Sequence, residues 1–311
     1  MAADGVLVNA TLCIDTVEVP GRGKVLDVLG GAAAYFAAAA RLFGPVRVLA
    51  AVGEDYPEAL WRELEALGID LSGVVNRPGR TLRWHGVYHE DLQNRDTLVV
   101  HEDRSVEAIP PLPEAWRDTR YICAGVTQPE NQLALQQQFR NARLTVLDTI
   151  DLYVNKHRLE LLRAIAQADG LVINDWEAAR LTGEGDPKRA VTKLLGFGPR
   201  FAVLKVGEDG AFLAHADAPG KTWRCPAYPV ERLVDPTGAG DSFLGGLLGY
   251  MAEREAGADD IEAIQQAMLH GSAAASFTIE DFSLRRIARV ERKHVDERIV
   301  ELKNRVETWR F

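Results

Sequence analysis

Along most of the chain, short apolar runs alternate with amphipathic stretches, and this rhythm narrows the fold more than any other feature. "GVLVNATLCI" (5–14) reads as a strand and "AAAYFAAAARLF" (32–43) as a helix closed by Gly44-Pro45. "VRVLAAVG" is a second strand and "YPEALWRELEALG" a second helix. "RYICAG", "RLTVLDT", "GLVIND" and "FAVLKVG" continue the strand series, separated by helical stretches at about 128–140, 155–167, 175–182 and 187–196. Such alternation predicts an α/β fold with a mostly parallel sheet covered by helices on both faces. The last third is helical, ending in the amphipathic "VDERIVELKNRVETW".

One region departs from the rhythm. Residues 80–105, "RTLRWHGVYHEDLQNRDTLVVHEDRS", alternate polar with apolar side chains and carry no good helix. We read lid strands inserted at about 72–105 in a single domain spanning 1–311; the plainer alternative is a surface hairpin.

Composition bounds the function. A formal charge of −9 repels phosphate backbones and argues against nucleic-acid binding. Three scattered cysteines, Cys13, Cys123 and Cys225, form no Cys-x-x-Cys pair and suit a reducing compartment. "MAADGVLVNA" has no basic region or long apolar core, and "GGAAAYFAAAARLFG" is too short for a membrane span. The expectation is a cytoplasmic protein without a membrane partner.

The chemistry is concentrated in "VDPTGAGDSFLGG" (234–246). Gly238, Ala239 and Gly240 let a ligand touch the backbone, and they precede a helix whose first N–H groups lack intrahelical partners. That is an anion site, reinforced by the helix dipole. Asp241 follows in the first turn. An N-cap is the bland reading; the three small residues before it favour a carboxylate held beside a bound phosphoryl group. The dipole should lower the pKa of Asp241. A second signal is "LVINDWEAARLTGE", with Asn174 at a strand end and Glu177 one helical turn on. The pair suits a hydrated Mg²⁺ with its phosphates, or a capping box. A third, "LKVGEDGAFL", places a Gly-Glu-Asp-Gly turn at a strand end, where ligands of open α/β sheets bind.

Together these stretches resemble the PfkB, or ribokinase-like, carbohydrate kinase family over nearly the whole chain. "DPTGAGDSF" is similar to its Asp-Thr-x-Gly-Ala-Gly-Asp signature, "NDWE" to its Asn-x-x-Glu motif, and "LGGAAAYFAAAARLFG" to its N-terminal Gly-Gly motif. The resemblance implies a three-layer α/β sandwich with a small β lid, and an ATP- and Mg²⁺-dependent kinase acting on a hydroxyl of a small sugar or polyol, a cyclitol included. It implies Asp241 as catalytic base and Gly238, Ala239 and Gly240 as anion hole. It assigns Asn174, Glu177, Lys205, Gly207, Gly210 and Ala274 to the nucleotide, Glu177 to Mg²⁺ through water, and Asp235 and Thr237 to a K⁺ loop. On the acceptor side it assigns Asp15, Gly30 and Gly31, with Tyr35, Arg83 and His85 near them. Pro236 stands where the signature has threonine, and Tyr35 where sugar kinases often carry asparagine. A nucleoside kinase on the same fold, with Tyr35, Trp84 and Tyr88 as a slot for the base, is the nearest rival; an inactive ligand sensor is another. Open strand edges on the lid point to a homodimer paired through it.

Overall fold

A computed structural model describes residues 5–92, 94–101 and 108–307. Its spine is a nine-stranded sheet. In chain order the strands are β1 (Val6–Asn9), β4 (Val46–Gly53), β5 (Asp70–Arg77), β8 (Tyr121–Ala124), β9 (Leu144–Leu147), β10 (Gly170–Asn174), β11 (Phe201–Lys205), β12 (Ala211–His215) and β13 (Thr222–Cys225). The spatial order is β13-β12-β11-β10-β9-β8-β1-β4-β5. All neighbours run parallel except β11–β12 and β12–β13.

The period of two in each strand divides the core. Val6 and Val8 of β1 join the apolar cluster under α1 (Ala32–Ala40), α8 (Ala239–Glu253) and α9 (Ile261–Thr278), while Leu7 joins the opposite one. That second cluster is closed by α3 (Pro129–Gln136), α4 (Asp151–Lys156), α5 (Arg158–Ile165), α6 (Asp175–Thr182) and α7 (Pro187–Leu194). Two further helices, α2 (Glu58–Ala66) and α10 (Arg292–Glu307), complete the set. The result is the expected helix–sheet–helix sandwich.

The lid is a separate sheet in the order β3-β2-β6-β7, made of β2 (Cys13–Val19), β3 (Gly23–Gly30), β6 (Arg83–Tyr88) and β7 (Arg95–His101). Only β6 and β7 come from the stretch that read as lid strands. The other two come from the N-terminus, so the apolar run 5–14 is not one strand: it leaves the main sheet after Asn9 and enters the lid at Cys13. Gly31 explains the crossing. It lies at φ 93°, and a Cβ there would sit 2.4 Å from the Thr11 carbonyl oxygen, so only glycine lets the start of α1 pass so close.

Candidate active site

The site is built where strands end. The loops after β1, β8, β9, β10 and β11 open on one edge of the sheet, and α8 enters from the other side. Gly238 is the N-cap of α8 in the left-handed region, φ 74°, with no side-chain cap; the Ala239 N–H donates to the Pro236 carbonyl at 3.2 Å. A Cβ on Gly238 would meet the Tyr35 ring at 2.2 Å, and one on Gly240 would meet Lys205 Nζ at 2.9 Å. The glycines of the signature are therefore demanded by protein packing as well as by ligand access.

Asp241 stands in the first turn of α8, and its pKa runs opposite to the dipole expectation. It is pushed up to about 6, first by withdrawal from bulk water and then by the Asp148 carboxylate; Lys205 and Arg95 only partly offset this. The partial charge of a helix end is outweighed by burial and a full negative charge.

Asn174 and Glu177 form a complete capping box: Asn174 Oδ1 accepts from Glu177 N at 2.8 Å, and Glu177 Oε2 accepts from Asn174 N at 2.9 Å. The box does not exhaust Glu177, which is buried and whose other carboxylate oxygen has no protein partner. Burial and the Asp148 charge raise its pKa, so this carboxylate has reason to gain a cation. Lys205 ends β11, in register with Asn174 on β10. Burial pushes its ammonium down, but Asp148, Glu177 and Asp241 outweigh that and hold it charged.

On the acceptor side, Asp15 is buried beneath the lid. Its Oδ1 accepts from Cys13 Sγ at 2.8 Å, and a Cβ on Gly30 would lie 2.0 Å from its Oδ2. Burial and the Asp235 and Asp241 carboxylates raise it to about 7. Asp235 is fully buried; Oδ1 accepts from Thr237 N at 2.9 Å while Oδ2 has no partner, an orphan lone-pair set suited to a monovalent cation.

Several expected site residues lie elsewhere. Tyr35 is 1% exposed and packed under Gly238, and Tyr88 shares a 3.0 Å hydrogen bond with Thr237 Oγ1, so neither opens as a slot for a base. Trp84 packs over Gly86 on the lid. Arg83 pairs with Asp27 at 2.7 Å and Asp55 at 3.5 Å, and His85 with Glu18 at 3.1 Å; both meet protein carboxylates. Ala274 is fully buried against Gly246 in the α8–α9 contact. Gly207 opens the turn at 207–209 with φ 54°, and Gly210 packs beneath the Cys225 carbonyl. Sequence reasoning missed Asp148. The signal was present: it is a polar residue immediately after a buried strand, as Asn174 is at the end of β10 and Lys205 at the end of β11.

The fold is a ribokinase-like scaffold. Residues 15–288 match the pfkB family carbohydrate kinase profile, and the chain belongs to that family. It is a kinase that uses a hydroxyl acceptor of the sugar or nucleoside class, with ATP and a divalent metal. A cytidine kinase of Thermococcus kodakarensis is 34% identical over 248 residues, covering 78% of this chain and 86% of that protein. Fructokinase-1 of Oryza sativa is 26% identical over 268 residues, covering 80% and 81%. Among solved structures, the nucleoside kinase of Burkholderia thailandensis in complex with inosine superposes with a TM-score of 0.73 at 22% identity, over 96% of this chain and 99% of that one. The fructokinase of Vibrio cholerae with fructose, ADP and calcium reaches 0.77 at 18% identity, over 96% and 99%. These structures share the fold. No helix among the described residues is long and apolar enough to cross a membrane.

Proposed function

We propose that the protein transfers the γ-phosphoryl group of ATP to a sugar hydroxyl of a nucleoside, with Asp241 as base. The observation that carries the chemistry is the juxtaposition at the mouth of α8: a left-handed glycine turn that no side chain caps, a lysine against it, and a half-buried carboxylate one residue on. The acceptor oxygen attacks the γ-phosphorus as the bond to the ADP oxygen breaks. The hydroxyl proton passes to Asp241, which later returns it to water. The turn and Lys205 hold charge on the moving phosphoryl group. A carboxyl pushed up to about 6 is a better proton acceptor than a free one and remains mostly ionised at neutral pH. Magnesium, held through water by Glu177, would offset polyphosphate charge. Asp15, on a wall opened by Gly30 and Gly31, takes two adjacent hydroxyls of the acceptor.

One observation favours a nucleoside over a free sugar. The relative at 34% identity over 78% of this chain is a cytidine kinase, whereas the fructokinase, fructoselysine kinase and deoxyribokinase relatives that match over 73–85% of it lie at 25–27%. The test is ADP release with cytidine, uridine, inosine, ribose, fructose and myo-inositol. Nucleosides should lead by tenfold or more in kcat/KM; a lead by fructose or myo-inositol would replace this reading with a sugar or polyol kinase.

The orphan oxygen of Asp235 supports a K⁺ site, and exchange of Na⁺ for K⁺ at fixed ionic strength should raise activity. Exposed Leu26 on β3, and Leu98 and Val100 on β7, give the lid apolar side chains that a second copy of the chain would cover. Leu98→Asp should then shift the sedimentation coefficient from dimer to monomer.

A further inference from the structure

Lys205 is a half-buried cation with few protein partners. Its ammonium can donate three hydrogen bonds, yet it makes one contact, to Asp148 Oδ2 at 3.5 Å, longer than a saturated charge-assisted bond. The side chain lies along the anion turn: a Cβ on Gly240 would meet Nζ at 2.9 Å, Cε at 3.7 Å and Cδ at 3.9 Å. The cation is thus held loosely from behind and presses on the surface where a phosphoryl group would rest.

Asp148 is itself fixed by backbone. It follows β9, its amide donates to the Ala124 carbonyl at 3.1 Å, and its Oδ1 accepts from Thr149 N at 2.9 Å. The buried amide of Gln132 donates to its carbonyl at 2.8 Å. One carboxylate oxygen is tied to the chain and the other faces Lys205.

We propose that Asp148 is a positioning residue that sets the place of Lys205 Nζ beneath Gly240, so that the ammonium reaches the transferred phosphoryl group without a search through rotamers. A lysine stem carries considerable rotamer freedom, and a fixed counter-charge removes it before the nucleotide arrives. The long 3.5 Å contact suits this role, because a tight bidentate pair would hold the ammonium back from the phosphate. The surrounding charges agree: Asp241 on α8, Glu177 on α6, Asp148 after β9 and Arg95 on the lid face one another around Lys205 and Asp241, with buried Cys123 of β8 behind. The inference rests on the proposed contact between Lys205 and the phosphates.

A double-mutant cycle tests it, using Asp148→Asn, Lys205→Met and the pair, with kcat and both KM values measured. Asparagine keeps the acceptor for Thr149 N and removes the charge. The expected result is a 10- to 100-fold loss of kcat/KM for ATP in each single variant, an acceptor KM within threefold of the parent, and less than a threefold further loss when Asp148→Asn is added to Lys205→Met. If the two losses multiply, Asp148 acts on some other group and the proposal is overturned, while the phosphate contact of Lys205 stands. If Lys205→Met leaves ATP turnover intact, that contact and the proposal fall together. Should Asp148→Asn fold poorly, Asp148→Glu keeps the charge but moves it by one methylene. A positioning role then requires at least a tenfold loss with an unchanged melting temperature, and full activity would refute it.

Discussion

The two sheets of this kinase make different use of their strands. β1, β8, β9, β10 and β11 are almost wholly buried, and they end in single polar residues or short loops that deliver Asp148, Asn174 and Lys205 to fixed places. In the lid, β3 is exposed or half-buried until its last two residues and β6 is half-buried throughout its first three residues. Its charged side chains pair among themselves, Arg83 with Asp27 and His85 with Glu18. Under the proposed function, the Lys205 charge that meets phosphate sits at the end of a buried strand, where burial makes it strong. Charges on the lid are solvated and serve its own cohesion. Asp15 is the exception that joins the two, a lid residue as deeply buried as any strand end.

The sharpest way to break this contrast is Asp241→Asn, which keeps the shape of the first turn and removes the base. Turnover should fall by about 10²-fold or more with ADP binding kept; near-parental turnover in a steady-state assay would remove Asp241 from the chemistry. Asp15→Asn should cost about 2 kcal/mol in transition-state binding, roughly a 30-fold fall in acceptor kcat/KM. The same variant should be the more stable protein at pH 8. A carboxyl raised from 3.8 to about 7 stabilises the fold below the unfolded pKa and loses that contribution as pH climbs through about 7. Thermal melts at pH 5 and pH 8 should therefore differ less in Asp15→Asn than in the parent. If they differ equally, Asp15 is not the group that titrates.

The pH–rate profile sharpens the comparison further. With Asp241 at about 6, kcat should be level above that pH and fall about tenfold for each unit below it; a limb near 4 would mean that the helix dipole prevails after all. The smallest effect belongs to the lid. Arg83→Ala should change kcat/KM by less than about threefold, since its partners are partly exposed and such pairs contribute about 1 kcal/mol or less. A large loss at Arg83 would move it from lid cohesion to substrate binding.

Much of this was legible from residues in order. The apolar period gave the layers because each strand of the main sheet meets helices on both faces, and the Gly-Ala-Gly-Asp turn is local, so its geometry follows from its own residues. What escaped depended on distant neighbours. The strands at 13–30 carry a turn signal in Pro20-Gly21-Arg22-Gly23, but their place in the lid depends on parallel pairing of β2 with β6, from Ile14↔Arg83 to Glu18↔Val87. The pKa of Asp241 could not be read from a dipole, because tertiary burial decides it, with Asp148 on another element adding to the rise. The resemblance put Tyr35 near the acceptor, yet its ring is the packing partner of Gly238, more than 200 residues away.

The order of strands also bears on synthesis. β1 can pair with β4 as soon as α1 has emerged, but its other edge belongs to β8, with Val6 opposite Tyr121. At the ~5–20 residues per second of a ribosome, that edge stays open for roughly 6–23 s. During this interval the nascent chain presents the apolar main-chain ribbon Val6–Asn9 with no partner on one side, the kind of edge that chaperones cover and neighbouring chains invade. Asp15 waits longer still for Asp241, so no amino-terminal fragment can rehearse the reaction, and the enzyme becomes competent only when most of its length has left the ribosome.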